Sequence, residues 1–157
     1  MAILFFSLLI VVLDQLSKLC IKSRFNLHET HEVFGNLLHF TYVQNPGIAF
    51  GIHFSTKWFY ALFAAVASAA LLVYLYRMRA ARFSFRLALA LILGGAIGNL
   101  IDRVVHGEVV DFIEVGFAAW RWPFIFNIAD MGVTLGMIIL IGLTLFEKNE
   151  KEILKSE

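Results

Sequence analysis

The chain has 157 residues, 60% of them apolar and 16% charged, with a mean hydropathy of +0.79, against roughly 45–50% apolar and about 25% charged in a soluble domain. Water is therefore not its principal solvent, and a formal charge of +1 offers no basic excess for binding a nucleic-acid backbone. A single cysteine, Cys20, permits neither an internal disulfide nor a thiolate cluster and reads as a small apolar packing residue.

A membrane-crossing helix needs about 20 largely apolar residues. The first such run covers 2–20, with Asp14 and Lys18 near its far end. It lacks the basic start and small-residue cleavage site of a secretory signal, so it is read as a permanent span. In the following segment, 21–57, the stretch Leu37 to Val43 (LLHFTYV) is rich in aromatic and β-branched residues and predicts a short strand. The second run, 58–76, carries no charge. Arg77, Arg79, Arg82 and Arg86 then crowd the next connection, which the positive-inside rule makes cytoplasmic. The third run, 85–101, leads into a second polar segment, 104–126, with a predicted strand from Val109 to Val115 and an aromatic stretch, WRWPFIF (120–126), suited to the lipid headgroup level. The fourth run, 128–146, starts beside Asp130 and leaves a mixed Lys/Glu tail that reads as a solvated helix end. Both termini are then cytoplasmic, and segments 21–57 and 104–126 face outward with a small sheet on the membrane. Gly94 with Gly98 and Gly132 with Gly136 form GxxxG pairs that predict close packing of the third and fourth helices.

An ionisable group at membrane depth costs about 2.5–3.5 kcal/mol on insertion scales. Asp14, Asn45, Asn99, Asp102, Arg103, Asp111, Asn127 and Asp130 all fall at the outer ends of spans or in the outer segments, so they converge at one depth. Taken singly, each has a structural reading. Asp102 and Arg103 form a helix-end pair, Asp130 a first-turn acid and Asn127 an N-cap. Taken together they describe a site, and close packing of the third and fourth helices would let Asp111 approach Asp130.

Two carboxylates sharing one site hold a single proton between them, because both cannot ionise comfortably. The ionised member can then activate water while the protonated member hydrogen-bonds a peptide carbonyl, with no metal or cofactor. No HExxH pattern is present, and His28 with His31 is a weak metal pair. No serine lies in a GxSxG context, and Ser17 and Lys18 diverge as helix neighbours. A proton-conducting protein would want polar residues through both leaflets, and a scaffold built on buried polar contacts would unfold when Asp111 or Asp130 is changed.

The segments LDQLSK (13–18), VQNPGIAFG (43–51), GGAIGNLIDRVVHGEVVDFI (94–113) and FNIAD (126–130) closely resemble, in order and spacing, the lipoprotein signal peptidases, the bacterial type II signal peptidases. The likeness covers nearly the whole chain. It implies an all-α membrane fold of four transmembrane helices with a small extracytoplasmic β-cradle and a short periplasmic helix, forming one peptidase domain over 1–157. It further implies Asp111 and Asp130 as the catalytic dyad, and Asp14, Asn45, Gly98, Asn99, Asp102, Arg103, Asn127 and Ala129 as substrate-binding or site-shaping positions. The implied protein is a monomer in the bacterial inner membrane with its site near the periplasmic face. Its substrate would be a prolipoprotein carrying a diacylglyceryl group on the lipobox cysteine, cut immediately before that cysteine, with membrane lipid as its other partner. One departure stands out. Met131 and Gly132 follow NIAD where many members carry a serine or another small residue.

Overall fold

The computed structural model describes residues 2–47, 57–117 and 120–156. Four helices, α1 (Leu4–Arg24), α2 (Lys57–Arg77), α3 (Phe83–Val105) and α4 (Ile128–Ser156), alternate with four strands, β1 (Thr30–Phe34), β2 (Leu38–Asn45), β3 (Val109–Phe117) and β4 (Trp120–Phe126). Each helix contains a stretch long and apolar enough to cross a membrane. The fold is therefore not all-α. Both predicted strands are present as β2 and β3, and β1 and β4 flank them in an antiparallel sheet of order β1-β2-β3-β4.

The two strands that sequence reading overlooked are the edges, and their composition explains the omission. β1 (THEVF) is exposed at every residue, so no alternation of buried and exposed side chains marks it. β4 contains Pro123, which cannot donate to a ladder and is tolerated at an edge. The headgroup-level placement expected of Trp120 and Trp122 concerns side chains outside those described. The short outer helix has no counterpart among the described residues of the outer segments, and residues 48–56, including part of the NPGIAFG motif, His53 and Ser55, lie outside the description.

α1 has its polarity inside out relative to a soluble helix. Ser7, Asp14, Lys18 and Ile21 are its buried residues, while Phe5, Leu8, Val12, Leu16 and Leu19 are exposed, as a helix facing hydrocarbon on one side and polar partners on the other requires. Cys20 lies on the exposed side, so it is not the packing residue expected from the sequence.

α3 is the central helix, with Ala88 to Leu91, Leu93 to Gly95, Gly98 and Asp102 buried. Its glycines serve two neighbours. A Cβ on Gly94 would lie 2.7 Å from the Ser7 carbonyl oxygen of α1, whereas a Cβ on Gly95 would collide with the Ala129 carbonyl of α4. Gly136 meets Ala88 and Ile92 of α3, and Gly132 is closest to Ile10 of α1. The close α3–α4 approach predicted from the GxxxG pairs is present, but it runs through Gly95, Gly98 and Gly136, with Gly94 turned toward α1.

The sheet joins the two outer segments. β1 and β2 come from the first, β3 and β4 from the second, and the antiparallel β2–β3 pairing sets Asn45 opposite Val109 and Val43 opposite Asp111. Gly107 makes the return from α3 into β3 possible. It adopts φ 80 just beyond the last helical turn, with its N–H bonded to the Arg103 carbonyl at 3.1 Å, the left-handed helix stop that glycine takes without steric cost.

Candidate active site

Four helix ends and strand β3 meet at the sheet end of the bundle, and the eight polar residues singled out above are gathered there. Asp111, only 3% exposed, sits on the interior strand β3. Its Oδ2 accepts a hydrogen bond from Asn45 Nδ2 at 2.9 Å and its Oδ1 one from Asn127 Nδ2 at 2.6 Å. Asn45 Oδ1 in turn accepts the Gly47 N–H at 3.0 Å, an Asx turn that decides which way this amide points.

Asn127 immediately precedes α4 and caps it. Its Oδ1 accepts the Asp130 N–H at 2.9 Å, and the Asp130 Oδ2 accepts the Asn127 N–H at 3.2 Å. This reciprocal arrangement is a capping box with aspartate in the third position. The cap that starts α4 thus also orients the Asp130 carboxylate and sends an amide donor to Asp111. The other Asp130 oxygen, Oδ1, accepts from Asn99 Nδ2 at 2.8 Å.

Burial, and after it the charge of nearby Asp130, push the Asp111 carboxyl up to about 6, against the pull of the Asn45 and Asn127 amides toward the ionised form. The Asp130 charge thus acts on Asp111. Asp130 is the more accessible of the two. It lines a groove of about 400 Å³ together with Phe126, Met131, Thr134, Leu135 and Ile138. Met131, the departure noted in the sequence, forms part of this wall. Gly132 is turned away toward α1.

Sequence reading missed Lys18. Its ammonium lies 2.8 Å from Asp14 Oδ2 and 2.9 Å from Asp102 Oδ2, with all three side chains no more than 4% exposed. Lys18 Nζ also donates to Asn99 Oδ1 at 3.1 Å. Gln15, given no role from the sequence, donates to Asp14, Asp102 and the Gly98 carbonyl. The available signal was the i, i+4 spacing of Asp14 and Lys18, which places both on one face of α1. Asp102 does not pair with its neighbour Arg103 as the helix-end reading has it; its ion-pair partner is Lys18.

The remaining acceptors of this cluster tie it to the site. Asp14 Oδ1 takes the Ala129 N–H at 2.9 Å, and Asp102 Oδ2 takes the Val110 N–H at 3.0 Å. One carboxylate thus holds the first turn of α4 next to Asp130, and the other holds the strand residue next to Asp111. Gly98 permits the approach, since a Cβ there would lie 2.7 Å from Asp14 Oδ2 and 3.1 Å from the Ala129 Cβ. Arg103 donates from Nη1 to the Asn99 carbonyl at 3.3 Å, while its enclosed Nε has no hydrogen-bond partner. Its charge acts on Asp130, Asp111 and Asp102. Among the described residues, no three His, Cys, Asp or Glu side chains are grouped to hold a metal ion.

Four membrane-length helices with a cluster of polar side chains gathered at one end describe a multi-pass membrane protein. The sequence model of the family described as Signal peptidase (SPase) II matches residues 6–146. A lipoprotein signal peptidase of Moorella thermoacetica is 43% identical over 152 residues, spanning 96% of this chain and 97% of its own length. One of Cellvibrio japonicus is 41% identical over 137 residues, spanning 85% and 79%. A solved structure described as a bacterial membrane enzyme, determined by the in meso method at 2.3 Å resolution, superposes with a TM-score of 0.84 at 32% identity, covering 96% of this chain and 91% of that one. The chain belongs to the signal peptidase II family, and it is an aspartic endopeptidase of the membrane.

Proposed function

We propose that the chain, acting as a single membrane-embedded unit, removes the signal peptide from diacylglyceryl-modified prolipoproteins by cutting before the lipidated cysteine, with Asp111 and Asp130 as its catalytic dyad. The observation that carries the dyad is the nature of its partners. Among the four aspartates at this end, Asp14 and Asp102 form ion pairs with Lys18, whereas the hydrogen bonds described to Asp111 and Asp130 come from neutral amides. Burial favours the proton on Asp111. Asp130, facing the groove, takes a proton from water as the water attacks the scissile carbonyl, and Asp111 hydrogen-bonds the carbonyl oxygen as negative charge develops.

The groove beside Asp130 descends along α4 through Thr134 to Ile138. Eight residues of helix rise about 12 Å, so an apolar signal segment can lie in the hydrocarbon while its cleaved bond rests at the level of the carboxylates. The relatives named lipoprotein signal peptidase support the substrate. The basic connection between α2 and α3, at the opposite end of the bundle, supports a cytoplasmic placement of that end and both termini. The site then faces the outer surface of the inner membrane.

The test is cleavage of a diacylglyceryl-modified precursor by the purified full chain in detergent, with Asp111→Asn and Asp130→Asn alongside. Cutting before the modified cysteine by the unaltered chain alone is expected. Persistent cleavage by either variant overturns the dyad, and equal cleavage of an unmodified precursor overturns the substrate.

A further inference from the structure

The end of the bundle remote from the carboxylates holds a second, chemically different recess. Ile3 and Leu4 at the start of α1, Leu72, Val73, Leu75 and Tyr76 of α2, and Arg79 and Arg86 line a groove of about 550 Å³, within the roughly 300–1,000 Å³ typical of ligand sites. Ile3 and Leu75 are buried in its floor. From Leu72 to Arg79 the helical stretch and the turn after it cover about 10 Å, so the recess is apolar toward the membrane interior and basic at its mouth.

Among the described residues, no carboxylate faces its charges. The lining contains no carboxylate, and the first turns of α1 and α3 carry no acid. Among the described residues, neither arginine makes an ion pair with a carboxylate. Arg79 lies over the Tyr76 ring, 5.1 Å from its centroid, a cation–π contact that leaves its donors available. Arg86 has an enclosed Nε without a hydrogen-bond partner. A buried donor in that condition is costly unless something bound satisfies the guanidinium.

We propose that this groove is a binding site for an anionic phospholipid, with one acyl chain along Leu72, Val73 and Leu4 and the phosphate between Arg79 and Arg86. Only a molecule that joins a negative head to a hydrocarbon tail complements both halves of the lining. Guanidinium suits the head because its fork of donors matches phosphate oxygens. The inference is independent of the peptidase reading, since it requires only that this end lies at a membrane surface.

The experiment is a titration of the full chain in an uncharged detergent, followed by native mass spectrometry, with phosphatidylglycerol and with phosphatidylcholine of the same chains. Tighter binding of phosphatidylglycerol is expected, with Arg79→Gln/Arg86→Gln losing roughly ten- to thirtyfold, as two basic residues at an anionic surface imply. Arg77→Gln, outside the lining, should keep the preference. Leu72→Trp, which fills the groove without altering charge, should abolish it. Cleavage in detergent by all three variants should be unchanged, which also reports that they fold. Equal binding of the two lipids, an unchanged preference in the double arginine variant or in Leu72→Trp, or displacement of the lipid by inorganic phosphate alone would each overturn the site.

Discussion

Asp14 and Asp102 share the ammonium of Lys18, and each accepts a backbone N–H from the element that carries one aspartate of the proposed dyad. Among the described residues, the donors to Asp111 and Asp130 are neutral amides. The difference separates support from chemistry. A carboxylate bound both to a buried cation and to a backbone N–H acts as a fixed strut. A carboxylate held by amides in a desolvated place can gain or lose a proton at little structural cost. Asn99 connects the two regions, since its Oδ1 accepts from Lys18 and its Nδ2 donates to Asp130.

The sharpest way to break this comparison is to remove the cation. Lys18→Met leaves two buried carboxylates unpaired and should cost about 3–5 kcal/mol, read as a large fall in melting temperature in detergent. Asp130→Asn should melt within a few degrees of the unaltered chain while cleavage drops by at least about 10²-fold. If the two variants melted alike, the division between strut and dyad would be wrong.

A smaller effect is expected at the contact that holds the two regions together. Gly98→Ala places a methyl 2.7 Å from Asp14 Oδ2 and should destabilise by about 1–3 kcal/mol, the usual cost of overpacking. Gly142→Ala, where an added Cβ meets nothing within 4 Å, should cost nothing by the same thermal measurement.

The mildest perturbation adjusts the dyad without dismantling it. The rate of cleavage should follow a bell against pH, and its alkaline limb marks loss of the proton that burial holds on Asp111 at about 6. The Asn45 amide favours the ionised form, so Asn45→Ala should raise the Asp111 carboxyl further and move that limb to higher pH. A limb that stays in place or moves down would show that Asp111 is not the proton carrier.

What could be read along the chain depended on the kind of constraint each residue obeys. The interior strands β2 and β3 were legible because burial against the helices demands β-branched and aromatic side chains. The edge strands were not, because β1 is exposed throughout and β4 carries Pro123. Asp111 and Asp130 stood out as acids near apolar runs, whereas Lys18 was weighed only as a partner of Ser17. Its role requires Asp102, which lies 84 residues away.

By itself, the sequence determined that the chain lives in a membrane, that it crosses four times, and which end of each span is polar, because those properties follow from local hydropathy and charge. Tertiary structure alone decided which aspartates pair with Lys18 and which are held by amides, since that depends on where Lys18, Asn45, Asn99 and Asn127 direct their hydrogen-bonding atoms after α1, α3, α4 and the sheet have packed. Proton sharing is a property of neighbours, and these neighbours are brought together only by the fold.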